Sequence, residues 1–353
     1  ACAGTLAAGA LIERSPGATS VVTPFAWSFA IAATAGFASS FFLARAPEPL
    51  MRDAGPRVGL VERLRNPLRP GNFRRLLVFL GSWTIASNLA VPFVAVYLME
   101  QLHYPLGAVT RLWVVSQVAN ALTLYLWGRL SDRHSNKGVL AVVLPLHFGG
   151  VLALVMIDQV RSPDLQMAAL YAIHIALGVA SGGIGLATGN LGLKLAPPGN
   201  ATAYLAAIGL VCAVGGGMAP LLAGMLADFA RARELSAVLR WSTGAEQGEM
   251  RVLQLAHWDF LFLLSAGVGL YVMHALSRID EGHEVSERQV VQEFLLEAWR
   301  SVGGLSSIGG ALGSLFPFER SRERRQWWRE RGTQGPVGPP RPARTGQGPC
   351  PEP

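Results

Sequence analysis

Ser116, Gln117, Asn120 and Thr123 recur at the spacing of one face of an α-helix. Hydroxyls and carboxamides set out in this way can bind a polar solute through hydrogen bonds. They can equally tie one helix to another inside a bilayer, at about 0.6–2 kcal/mol each. The pattern recurs in Thr84, Ser87 and Asn88, with Pro92 one turn later, and in His174, Ser181 and Thr188, spaced seven apart. Pro92 lacks a backbone donor and can bend its helix. An imidazole ordinarily titrates near neutral pH, so a histidine such as His174 suits a proton relay as well as a structural role. His147, after Pro145, reads as structural, and Arg111 as a side chain reaching for the membrane boundary. Cys2, Cys212 and Cys350 are scattered, with neither metal nor disulfide spacing, and no His, Cys or acidic cluster has catalytic spacing. These patterns call for no catalytic set, no metal and no cofactor.

The elements that would carry these side chains are long and apolar. Of 353 residues, 51% are hydrophobic and only 15% charged. A bilayer core needs about 20 mostly apolar residues per helix. Seven stretches qualify, at 24–44, 76–98, 109–129, 138–158, 166–192, 201–228 and 257–277. The apolar run 1–12 is too short to cross and reads as the end of a further helix; with no Met before Met51, the start reads as a truncation. The net charge of +7 would suit nucleic acid in a soluble protein, but the Arg residues gather in the connectors. Arg45, Arg52, Arg57, Arg63, Arg65, Arg69, Arg74 and Arg75 fill one connector, Arg129, Arg133 and Lys137 another, and more follow residue 277. That asymmetry puts these segments and the C-terminus in the cytoplasm. The loop 229–256, with Arg231, Arg233, Arg240 and Arg251, would lie outside as a long loop that obeys the rule weakly.

The connector from Gly128 to Lys137 reads GRLSDRHSNK. Gly128, Leu130, Asp132, Arg133 and Lys137 resemble a loop motif of the major facilitator superfamily, while Ser135 and Asn136 depart from it. Gly128 would allow close backbone approach, and Asp132 would accept hydrogen bonds from a neighbouring helix start. Arg133 and Lys137 would hold the turn on the cytoplasmic side.

The resemblance implies an all-α polytopic membrane protein: the six-helix C-terminal bundle of a major-facilitator-type fold, with one complete and one partial helix of the N-terminal half. Residues 1–44 would be the remnant of the first bundle, 45–75 the cytoplasmic connector and 76–277 the second bundle. Residues 278–332 would form a cytoplasmic tail with an amphipathic helix at 288–303, and 333–353 a disordered end. The implied activity is secondary transport of a small solute in a bacterial inner membrane, with the lipid bilayer and the absent half as partners and no nucleic acid; a non-transporting scaffold or sensor on the same fold is the alternative, and a membrane-embedded enzyme the less favoured one. Asn88, Gln117, Asn120, His174 and Ser181 become the candidate cavity lining. Gly185 and Gly217, in the columns Ser181/Gly185/Gly189 and Gly209/Ala213/Gly217, would pack helices, while Pro92 and Pro220 would bend them. Asn200 would cap the sixth of the seven spans.

Overall fold

The computed structural model describes residues 22–45, 65–133, 135–197, 201–243, 246–282, 291, 292 and 294. The expected partial helix at 1–12, most of the 45–75 connector, Asn200 and nearly all of the tail lie outside them. The described helices are α1 (Val22–Ala44), α2 (Gly71–Glu100), α3 (Leu106–Arg133), α4 (Asn136–Ile157), α5 (Pro163–Leu195), α6 (Ala201–Ala230) and α7 (Asp259–Ser277). They agree with the seven expected spans to within a few residues.

Local chemistry fixes several boundaries. Ser135 caps α4 in extended backbone, its Oγ accepting from the Gly138 amide at 2.9 Å. Pro163 opens α5, Asp164 lies in its first turn and Lys194 in its last, each charge suiting the helix dipole. Pro92, Pro145 and Pro220 sit inside continuous helices, as membrane helices allow.

Five described helices, α2, α4, α5, α6 and α7, are long and apolar enough to cross a bilayer. α3 has the length, at 28 residues, but its polar face lowers its hydropathy. The chain is therefore a multi-pass integral membrane protein. α5 packs against α3 and α4, α2 against α6 and α7, and α4 against α7. The core has two layers. One gathers Phe73, Phe79, Trp127, Leu140, Ala187 and Leu276; the other gathers Tyr97, Leu112, Leu154, Trp258 and Phe262. Hydrogen bonds cross between helices in both layers. Trp127 Nε1 donates to the Val179 carbonyl at 2.9 Å, and the Tyr97 hydroxyl donates to that of Leu154 at 3.0 Å.

One finding goes beyond the sequence reading. The segment read as the loop 229–256 contains an antiparallel hairpin, β1 (Glu234–Thr243) and β2 (Glu246–Ala256), with a bulge at Ala237/Val238. From the tail, Phe294 stacks on Trp127 with ring centroids 4.4 Å apart, packing against the bundle.

Candidate functional site

The candidate residues fall on two helix seams. In the first, α3 meets α5 so closely that a Cβ on Gly178 would lie 2.1 Å from the Ser116 carbonyl oxygen. Only glycine fits that crossing, which lets polar backbone and side chains of α3 press onto α5. One turn on, a Cβ on Gly182 would lie 3.2 Å from the Asn120 carbonyl oxygen and 3.4 Å from both Asn120 Oδ1 and Thr123 Oγ1. Asn120 is thus wedged against α5, while Gln117, three residues earlier, is exposed. Thr123 donates to the Ala119 carbonyl at 2.8 Å and so satisfies its hydroxyl within its own helix.

On α5 the candidates separate. His174 is buried, its Nδ1 2.9 Å from the Leu170 carbonyl oxygen, in an i, i+4 column with Gly178 and Gly182. Ser181 is exposed and donates to the Leu177 carbonyl at 2.7 Å. Although the two lie only about 20° apart around the helix, His174 is buried and Ser181 exposed, so the seven-residue spacing does not bring them into the same environment.

The second seam joins α2 and α6. A Cβ on Gly215 would lie 3.3 Å from Ile85 Cγ1, and one on Gly216 would lie 3.4 Å from Thr84 Cγ2 and 3.8 Å from Asn88 Nδ2. Asn88 is partly buried and donates to the Thr84 carbonyl at 2.9 Å. Asn88 and Asn120 thus occupy separate seams. Pro92 is exposed on α2, and Pro220 is partly buried on α6.

Gly185 and Gly217, expected to pack helices, touch no neighbouring helix among the described residues. A Cβ at either would meet nothing within 4 Å among the described residues. Packing falls instead to Gly178, Gly182 and Gly183 on α5 and to Gly215 and Gly216 on α6. Gly128 also makes no forced approach, since a Cβ there would stand 3.8 Å from Leu186 Cδ1, an ordinary contact.

The motif loop leads to a residue that the sequence reading missed. Glu281, just beyond α7, is buried where α4 begins. Its carboxylate accepts from the Asn136 amide at 3.1 Å, Asn136 Nδ2 at 2.8 Å, the Lys137 amide at 2.7 Å and Lys194 Nζ at 3.2 Å. Burial pushes this carboxyl up, but the Lys137 amide, both Asn136 donors and Lys194 outweigh it and hold it below its ordinary value. Ser131 donates to Asn136 Oδ1 and accepts from Asn190 Nδ2 at 3.3 Å, extending the cluster to α3 and α5.

At the start of α4 the free amides are met by Glu281 and Ser135. Asp132 itself is exposed, with no hydrogen bond to a described helix start. Lys137 Nζ donates to the Ser277 carbonyl at 3.3 Å, a cation at the end of α7. Arg133 is exposed. The signal in the sequence was Asp280-Glu281-Gly282, an acidic pair closing the last span before a basic tail.

The arrangement can bind a polar solute along open helix faces and fasten one helix end. Compared with known proteins, the chain matches the profile described as Major Facilitator Superfamily over residues 2–220. No curated protein matches it.

Proposed function

The chain belongs to the Major Facilitator Superfamily, and on that premise we propose that it forms one bundle of a secondary transporter moving a small solute by alternating access. The observation that carries this reading is the polar face of α3. In a helix long enough to cross lipid, Gln117 is exposed and Asn120 presses on α5 at Gly182. Polar side chains that faced hydrocarbon would be costly, so the face favours a water-filled cavity. In this reading Gln117, Asn120 and Ser181 contact the solute and Asn88 contributes from α2. His174 acts from within the bundle, one turn from the Gly178 crossing. A second six-helix bundle of the same protein closes the other wall, as the two-bundle rocking of such transporters requires. The helix ends around Asp132, Lys137 and Glu281 face the cytoplasm, as the Arg-rich connectors favour.

Thermal unfolding of the protein with a panel of small solutes tests this. A true ligand at a hundredfold excess over its Kd adds about 2.7 kcal/mol. Gln117→Ala and Asn120→Ala should each at least halve the resulting shift in Tm. Unchanged shifts in both variants would remove these residues from the site. A bound solute that the reconstituted protein never carries across a vesicle membrane would favour the scaffold or sensor reading.

A further inference from the structure

The seams use none of the residues around a cleft of about 440 Å³ between the start of α2 and the end of α7. Arg74, Arg75 and Val78 line it from α2; Tyr271, His274 and Arg278 line it from α7 and its C-cap. No acidic residue is among the described residues lining it. Arg75 is committed to structure, its guanidinium donating to the Arg278 carbonyl at 3.1 Å. Asn72 supports the same junction, donating to the Asp280 carbonyl at 2.7 Å and accepting from the Asp280 amide at 3.0 Å. No described carboxylate pairs with Arg74 or Arg278, so among the described residues both line the cleft without a counter-charge.

The chemistry changes along the cleft walls. On α7, Arg278, His274, Tyr271, Gly267 and Leu264 follow one another at steps of three and four, so one helix face runs from cationic through aromatic to apolar. Tyr271 and Leu264 are exposed, as is Val78 on α2 one turn beyond Arg74. Both helices are long and apolar enough to cross lipid, which sets the cationic end at the membrane–water boundary. Guanidinium groups recognise phosphate oxygens in a bidentate fork. A free anion would have no use for the apolar continuation, whereas an acyl chain would.

We propose that this cleft is a binding site for an anionic glycerophospholipid, with the phosphodiester on Arg74 and Arg278 and an acyl chain along Tyr271, Leu264 and Val78. The proposal stands apart from solute transport and needs only that the chain is embedded in a membrane. A basic residue near a lipid surface is worth about fivefold in affinity.

The test uses the whole chain, delipidated in a zwitterionic detergent. It is titrated with phosphatidylglycerol or phosphatidylcholine, and bound lipid is read by native mass spectrometry. Saturable binding of phosphatidylglycerol in preference to phosphatidylcholine is expected. The double variant Arg74→Gln/Arg278→Gln should weaken it roughly 25-fold, and Arg74→Lys/Arg278→Lys should recover most of the loss. Removing the same charge elsewhere, with Arg231→Gln/Arg233→Gln, should leave it unchanged, and circular dichroism reports whether each variant keeps its helices. Equal binding of the two lipids by the unmodified chain would overturn the proposal. So would an equal loss in the two glutamine pairs. Full displacement of the lipid by millimolar inorganic phosphate would make this a free-anion site instead.

Discussion

Helices α5 and α6 are consecutive, similar in length and both apolar, yet they are held differently. α5 is clasped by α3 at Gly178 and Gly182 and by α4 at Gly183, where a Cβ would come within 2.7 Å of Val143 Cγ1. Its end is fastened by Lys194 to Glu281. α6 rests mainly on α2, through Gly215 and Gly216 at ordinary to slightly tight distances and through the Val211 side chain, whose Cγ1 would lie 2.9 Å from a Cβ on Gly81. In their most apolar windows 39% of α5 residues are buried against 17% for α6, although α6 is the more apolar helix. Apolarity in a membrane protein therefore does not predict burial. Lipid is as apolar as a leucine side chain, so packing of small residues and polar fastening decide which helices are fixed. α5 belongs to a rigid scaffold with α3 and α4, whereas α6 is attached along one face.

The largest effect that would break this contrast is at the α3–α5 crossing. Gly178→Ala places a methyl group 2.1 Å from a backbone oxygen, which no rotamer change can relieve. The helices must separate, undoing the contacts of Asn120 and Thr123 with Gly182. A loss of about 3 kcal/mol or more is expected, measured by equilibrium unfolding in mixed micelles titrated with a denaturing detergent. A loss under about 1 kcal/mol would mean that the two helices slide freely and that α5 is no more fixed than α6.

The next effect is electrostatic and concerns the fastened end of α5. Because the Glu281 carboxyl is held below its ordinary value, its ionised form is the stabilising one. Its contribution is full above the ordinary value of 4.5 and is lost as pH falls through the lower folded value. Glu281→Gln should cost about 1.5–3 kcal/mol at pH 7, the worth of charge-assisted hydrogen bonds. It should also flatten the loss of stability that the unmodified chain shows on acidification below about pH 4.5. An acid limb equally steep in the variant would show that Glu281 does not hold this end.

The helices were legible because apolar length is a strong signal, and the motif was legible as Gly128, Asp132, Arg133 and Lys137 at fixed spacing. Facing was not. Small residues recur so often on α5 and α6 that several columns fit helical spacing, and nothing in the sequence marks Gly182 and Gly216 as the ones that touch α3 and α2. Glu281 was invisible for another reason. Its partners at Asn136, Lys137 and Lys194 lie about 90–145 positions away in the chain, and nothing local marks a carboxylate that caps a distant helix. The hairpin was missed because its period-two pattern is weak, with Val238 interrupting the alternation where the bulge lies.

The smallest effect tests the contrast within α6 itself. Gly216 faces Thr84 and Asn88 at 3.4 and 3.8 Å, while a Cβ on Gly217 meets nothing within 4 Å among the described residues. Alanine gains about 1 kcal/mol over glycine in helix propensity. At Gly217 that gain is unopposed, so Gly217→Ala should be neutral to stabilising by up to about 1 kcal/mol. At Gly216 the added methyl meets a threonine methyl at contact distance, so the gain should be partly or wholly offset. The two variants should therefore differ by about 0.5–1 kcal/mol in the same unfolding assay. Equal values would mean that the α2–α6 seam exerts no steric preference. A clear stability loss at Gly217 would reveal a partner surface on the open side of α6, and that helix would then be as constrained as α5.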